Sequence, residues 1–364
     1  MKNFFKRIFW DSTTRRLRTL WRLFLQIVLI LLLSGLGFAL FSRGLAYIST
    51  ASAAGNSEQT GEVVGAVGVL LMMLLSIWLA GRFFDRRRFV DFGVHWNHAW
   101  WLDWSFGLGL GALLMFLIFA VEWAAGWLTI TGAFQTATPH AAFGRAILDP
   151  LILFFCVGIY EEFFSRGYQL KNLAEGFNGL WGLGPRGAVL VATFVSAIIF
   201  GLLHAGNPNA TWVSTFNIFL AGLFLALGYV LTGELALPIG LHMGWNFFQG
   251  NVFGFPVSGT GANATTFIAI HQGGNPLVTG GAFGPEAGLI GIAAMLLGSL
   301  LIIGWVRMQY GAARLQLRLA KPDLRFELRD QSAEDRGQKS EVRDPSFQSP
   351  VSELSNKREE ENSL

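Results

Sequence analysis

The chain has 364 residues, of which 52% are hydrophobic and only 14% are charged, and its formal net charge is +3. Soluble proteins carry roughly 25% charged residues, so this composition excludes an ordinary soluble domain and indicates a protein embedded in a lipid bilayer. The single cysteine, Cys156, excludes an intrachain disulfide and a cysteine-based metal site. No nucleic-acid partner is expected.

Apolar stretches close to the ~20 residues that a membrane helix needs recur along the chain. The seventh is the shortest and contains Pro238 and Gly240. The pattern predicts an all-α, polytopic transmembrane helical bundle of about eight spans, near residues 20–42, 62–81, 103–129, 146–170, 187–205, 211–232, 235–250 and 286–306.

Lysine and arginine are distributed unevenly between the predicted loops. They are frequent before the first stretch and in the second and fourth loops, and almost absent from the loops between. Cytoplasmic loops carry this excess in membrane proteins. We therefore expect an integral, multi-pass protein of the cell membrane with both termini cytoplasmic.

The predicted organisation follows from these patterns. Two interpretations of the N-terminus stay open, an interfacial helix on an anionic leaflet and an unstructured topology determinant. The charged C-terminal segment has too little apolar surface to fold alone, so we expect disorder. The predicted segments are a basic N-terminus (1–19), N-terminal membrane helices (20–130), a catalytic membrane core (146–250), an outer loop (251–285), the last membrane helix (286–310) and the disordered tail (311–364).

Three polar clusters interrupt the predicted membrane helices. A charged side chain at the bilayer centre costs at least about 2.5–3.5 kcal/mol, so such residues are expected to have a function. Their occurrence on neighbouring spans predicts that they face one another across a hydrated pocket, open towards the basic, internal side. The clusters are Glu161-Glu162-x-x-x-Arg166, Phe200-x-x-x-His204 and His242-x-x-x-Asn246.

The adjacent carboxylates are expected to have different tasks. Glu162 and Arg166 are four residues apart on one helix face, which favours an ion pair. Glu161 points about 100° away and is free to act as a general base. A purely structural salt bridge at a helix end is the alternative for Glu162 and Arg166.

The histidines are suited to the same chemistry. His204 ends the fifth span, and Phe200 lies one turn earlier, where it orients the imidazole. His242 and Asn246 also share a face and are suitable donors to an oxyanion. Polar contacts between helices are the structural alternative. Helix depths agree only if the fifth helix tilts, or begins below the membrane surface, so that His204 meets Glu161.

The three motifs, in this order, resemble the CPBP intramembrane proteases, also called CAAX/Abi proteases, which include type II CAAX prenyl endopeptidases. The resemblance covers residues 146–250 and includes Gly167 after Arg166. It implies an intramembrane endopeptidase, a hydrolase acting on membrane-associated and, as one alternative, prenylated CAAX-type substrates.

The resemblance also implies a role for each residue. Glu161 and His204 would activate a water, His242 and Asn246 would stabilise the oxyanion, and Glu162, Arg166 and Phe200 would support them. No cofactor is required by this mechanism. Zinc stays an alternative, held by Glu161, His204 and His242, although the chain has no His-Glu-x-x-His.

Two other classes of protein are alternatives. A transporter predicts internal repeats and a polar pathway, neither of which is evident. A catalytically silent scaffold or immunity factor on the same helical bundle is the other alternative. Glu122 lies mid-span outside the clusters, as a packing or a proton-relay residue, whereas Ser258 and His271 are interpreted as loop residues.

Overall fold

The protein is a bundle of long apolar helices. A computed structural model describes residues 8–11, 14–51, 57–137, 140–261 and 265–322, with only the backbone described at 38–51 and 57–62. The α-helices are α1 (Thr19–Ala51), α2 (Ser57–Ala80), α3 (His98–Ala124), α4 (Phe143–Ala146), α5 (Leu148–Glu162), α6 (Lys171–Phe177), α7 (Pro185–Leu203), α8 (Trp212–Thr232), α9 (Ala236–Phe247), α10 (Pro276–Thr279) and α11 (Leu289–Tyr310). The strands are β1 (Trp10–Asp11), β2 (Arg16–Leu17), β3 (Leu128–Gln135) and β4 (Thr266–Gln272).

Within the described residues, seven helical segments are long and apolar enough to cross a membrane. The polytopic helical bundle predicted from the sequence is therefore confirmed. The fourth segment spans Phe143–Phe177 through α4, α5, the π-helical turn Phe163–Leu170 and α6. It extends beyond the predicted end at 170, and Arg166 lies inside it.

The seventh predicted span forms a shorter helix than expected. Helix α9 has only 12 residues and continues through the π-helical turn Phe248–Val252. Its residues are almost all buried, because α9 packs along α3 inside the protein. Its connections nevertheless place its two ends at opposite faces of the bundle, since Leu235 bonds to Gly93 before α3 and Phe255 follows at the other end.

The bundle therefore has two faces, which we name by their residues. The basic face comprises 14–22, 81–97, 171–184, 233–235 and 311–322. Arg16 contacts Glu175, and Asn178 bonds to the Ala320 carbonyl, so both ends of the described chain meet there. The far face comprises 125–137, 140–142, 204–211, 253–261 and 265–288, where β3 pairs with β4.

Segments predicted to be irregular are ordered. Within the outer loop, β4 forms an antiparallel sheet with β3, with an irregular register at Gly132. Residues 311–322, assigned to a disordered tail, instead return to the bundle, where Leu319 and Ala320 are buried. The rest of that tail, 323–364, lies outside the described residues.

The N-terminus agrees with the helical interpretation only at Ile8 and Phe9, which are helical. Trp10–Asp11 and Arg16–Leu17 pair as two short strands, while residues 1–7, 12 and 13 lie outside the described part. Behind these strands, buried charges connect the start of α1 with α6 and the turn after α2. Arg22 pairs with Asp85 at 2.7 Å and with Glu175 at 3.4 Å, and Arg87 pairs with Glu175.

Candidate active site

The Glu162–Arg166 pair lies in the interior of the protein. Arg166 belongs to the π-helical turn that follows α5, and its Nη1 is 2.8 Å from Glu162 Oε1, as the four-residue spacing predicts. Both side chains are at most 1% exposed. Arg166 also donates to the Gly222 carbonyl on α8 and lies over the Phe200 ring, 4.4 Å from its centroid. A buried charge thus has several partners.

Glu162 has a second partner that the spacing alone could not show. His242 Nδ1 lies 2.9 Å from Glu162 Oε1, the oxygen that also accepts from Arg166. A carboxylate only accepts hydrogen bonds, so Nδ1 donates, and Nε2 is left for other partners. Glu162 therefore sets the orientation of the imidazole, in the way that an aspartate orients the histidine of a catalytic triad.

The second carboxylate–histidine couple is more open. Glu161 Oε2 lies 4.0 Å from His204 Nε2, with side-chain exposures of 22% and 17%. His204 Nδ1 is held at 2.8 Å by the Phe200 carbonyl, which can only accept, so Nε2 is the nitrogen that faces Glu161. The helix depths left open whether His204 could meet Glu161, and the structure brings the two side chains together.

Both histidines border one pocket between α7, α8, α9 and α11. About 460 Å³ of empty space lies within and in front of the pocket, part of it open solvent. Its polar residues are His204, His242, Asn246, Ser258 and Glu286. The other lining residues are apolar: Phe200, Ile218, Ala221, Phe224, Leu225, Leu241, Trp245 and Met295. Glu161 and Glu162 reach this pocket through the imidazoles that they contact.

The pocket lies towards the far face, and the expected opening towards the basic side is wrong. His204 stands at the far-face end of α7, where Asn207 in the following turn donates to the Ser258 carbonyl. Ser258 itself lines the pocket. The ion pairs of Arg16, Arg22 and Arg87 lie at the opposite face. The position of Glu161 along its helix does not indicate which loops cover the pocket.

Sequence reasoning missed two contributors to the pocket. Ser258 has a φ of 48° in its turn, and its backbone N–H donates to Glu286 Oε1 at 2.6 Å. Glu286 is only 3% exposed and begins the approach to α11. Neither residue lies at a helical spacing from the three motifs. The only sequence signal for Glu286 is that it is an acidic residue at the border of an apolar span.

Glu122 does not belong to this pocket. It is fully buried near the far-face end of α3, where one oxygen accepts from Gln272 of β4 at 2.9 Å. It therefore connects α3 with the β3–β4 sheet. This contact agrees with a packing role, which is one of the two roles that the sequence left open for Glu122.

Zinc requires several ligand atoms that converge on one point. Among the residues that the structure describes, no three His, Cys, Asp or Glu side chains are arranged to hold a metal ion. His242 directs Nδ1 towards Glu162, and Glu162 also pairs with Arg166. A histidine that binds zinc through one nitrogen commonly donates to a carboxylate through the other. Zinc held by Glu161, His204 and His242 therefore stays a prediction from the sequence.

Comparison with known proteins supports the resemblance. Residues 143–248 match a family model described as type II CAAX prenyl endopeptidase Rce1-like. The match includes all seven residues of the three motifs and confirms the CAAX/Abi family recognised from them. No curated protein and no solved structure matches the chain.

Proposed function

We propose that this integral membrane protein, whose residues 143–248 form an Rce1-like CAAX-type protease domain, is an endopeptidase that cleaves membrane-associated peptides inside the bilayer. The observation that carries the proposal is the pairing of two adjacent carboxylates with two histidines. Glu161 faces His204 and Glu162 faces His242, and both imidazoles line one pocket.

The first couple would activate water. A single water molecule fits between Glu161 Oε2 and His204 Nε2, which are 4.0 Å apart, with a hydrogen bond of about 2.8 Å to each. Glu161 accepts a proton as the water oxygen bonds to the peptide carbonyl carbon. His204 keeps the water oriented, because its Nδ1 is fixed by the Phe200 carbonyl.

The second couple would stabilise the oxyanion that forms. An imidazolium of His242 is stabilised by Glu162, and its Nε2–H donates to the oxyanion together with the Asn246 amide. The proton held by Glu161 then passes to the leaving nitrogen as the C–N bond breaks. The products are a carboxylic acid and an amine, so the step consumes one water and needs no cofactor.

The apolar lining supports a substrate with a large hydrophobic group. Ile218, Phe224, Leu225 and Met295 suit an aliphatic side chain or a lipid chain of the substrate. A prenylated CAAX-type peptide is one such substrate. In the cell membrane, with the basic face in the cytoplasm, the pocket lies towards the opposite leaflet.

The test is cleavage of a quenched fluorescent peptide library by the detergent-purified full chain. Glu161→Gln and His204→Ala should each lower kcat/KM by at least about 100-fold, because general acid–base groups contribute factors of this size. Cleavage by the wild type should persist with a chelator present.

Glu122→Gln is the matched control, since Glu122 is a buried carboxylate of the same bundle that lies outside the pocket. It should cleave as the wild type does. Undiminished cleavage by folded Glu161→Gln would contradict the mechanism, and loss of cleavage with chelator would contradict its independence of metal.

A further inference from the structure

A third carboxylate faces the pocket from outside the region of the family match. Glu286 lies in the 3₁₀ turn Pro285–Ala287 directly before α11, and it is 3% exposed. It lines the pocket together with His204, His242 and Asn246. The proposed reaction leaves it without a task.

Both oxygens of Glu286 accept hydrogen bonds from the segment that follows α9. Oε1 accepts from the Ser258 backbone N–H at 2.6 Å, and Oε2 accepts from Gln249 Nε2. Gln249 also donates to the Pro256 carbonyl. A single side chain thus binds both ends of the segment 249–258, which we call the strap, and Ser258 at its end lines the pocket.

The strap is connected to both elements that carry the histidines. The Ser258 carbonyl accepts from Asn207 Nδ2 at 3.0 Å, and the Asn207 N–H donates to the His204 carbonyl at 3.1 Å. At its other end, Gln249 lies three residues after Asn246 on the helical segment that continues α9. Through Ser258, Glu286 is therefore connected to the turn that follows His204. Through Gln249, it is connected to the helical segment that carries His242 and Asn246.

We propose that Glu286 is a positioning residue, which sets the separation of His204 from His242 and Asn246 by holding both ends of the strap 249–258. The inference rests on the proposed function for its catalytic consequence. Small displacements matter here, since a shift of about 1 Å in a catalytic group lowers rates by about 100-fold.

The charge of Glu286 decides how well it holds the strap. An ionised carboxylate accepts from both donors, whereas a protonated one presents an O–H to one of them. Burial raises the pKa of Glu286 to about 7, although the hydrogen bonds from Ser258 and Gln249 oppose the shift. The described groups that face it are Gln249 and Ser258, and the titratable groups that share the pocket are His204 and His242.

The first test compares the pH profile of Glu286→Gln with that of the wild type. At about pH 8 the variant should lose about tenfold or more in kcat with little change in KM. The ratio of wild-type to variant kcat should fall towards one as the pH drops through the Glu286 pKa of about 7, because the wild type then becomes uncharged there.

A ratio that stays near one at every pH would overturn the proposal, and so would an equal loss across the whole range, which indicates a structural role alone. Glu122→Gln is again the control, because Glu122 also accepts an amide from the far face but does not line the pocket. Its ratio should stay near one.

The second test does not depend on activity. Hydrogen exchange at about pH 8 should accelerate at 205–211 and 253–261 in Glu286→Gln and remain unchanged in Glu122→Gln. Unaltered exchange at 205–211 would overturn the proposal even if cleavage were lost. If the wild type cuts no peptide, the proposed function fails while exchange still decides the role of Glu286.

Discussion

Two neighbouring glutamates show how far a single residue step changes the environment of a side chain. Glu162 is fully buried and accepts from both Arg166 and His242. Glu161 is partly exposed and faces His204. Their roughly 100° separation on the helix assigns one carboxylate to support and leaves the other next to the pocket.

At this scale we predict that the two glutamates differ sharply in their effect on stability. Glu162→Gln leaves the buried Arg166 charge without its carboxylate, which costs about 3–5 kcal/mol. Glu161→Gln should change the free energy of unfolding by no more than about 1 kcal/mol, since its partner is 4.0 Å away and both groups are partly exposed. Thermal unfolding of the detergent-purified variants measures the difference.

Glu161→Gln serves as the matched control, because it makes the same chemical change one residue away. Equal melting temperatures for the two variants would show that Glu162 does not stabilise Arg166 as described.

Among the elements, the contact between α3 and α9 determines the position of the second histidine. The two helices run in the same direction with glycines at four-residue spacing, Gly107 and Gly111 on α3 and Gly240 and Gly244 on α9. Each of these glycines meets the backbone of the other helix. Small residues at this spacing allow helix backbones to approach closely in membranes, which explains how a helix of 12 residues is held.

We predict that Gly111→Ala destabilises the protein by about 1–3 kcal/mol, because an added Cβ would overlap the backbone at Trp245 and Leu241 of α9. The displacement of α9 should also lower kcat, since His242 and Asn246 lie on that helix. Thermal unfolding and peptide cleavage check the two effects.

Gly109→Ala is the control on the same helix, where a Cβ would meet open space. It should be neutral or stabilising by up to about 1 kcal/mol, as expected for alanine in a helix. Similar losses in both variants would refute the close contact between α3 and α9.

Across the whole molecule, the buried charges at the basic face join segments that are far apart in sequence. Arg22 pairs with Asp85 and donates to Asn172 at 2.6 Å, and Arg16 reaches Glu175. These contacts place the start of α1, the end of α2 and α6 at one face. The short α9 runs from the basic face to the far face. Helix α11 then brings the chain back, so residues 311–322 lie at the basic face.

This topology predicts the labelling of single cysteines in a Cys156→Ala background. A membrane-impermeant thiol reagent added to intact cells should label Leu277→Cys at the far face. It should leave unmodified His98→Cys, the first residue of α3, which directly follows the basic-face segment 81–97. After permeabilisation both should react, since both native side chains are exposed. Labelling of both in intact cells would contradict the topology, and the reverse pattern would contradict a cytoplasmic basic face.

The sequence by itself determined the class of the protein and the composition of its site. Apolar stretches of membrane length identify the helices, and the spacing of four residues places Glu162 with Arg166 and Phe200 with His204, because these are local properties of a helix. The order of the three motifs also indicated the family that the match to residues 143–248 confirms.

Only the tertiary structure decided how these residues are paired and what closes the pocket. His242 bonds to Glu162 across 80 positions of the chain, and Glu286 bonds to Ser258 across 28. Such contacts depend on how helices pack and how the segments between them fold, which no local spacing records. For the same reason, the sequence placed the opening at the wrong face and left Glu286 unnoticed.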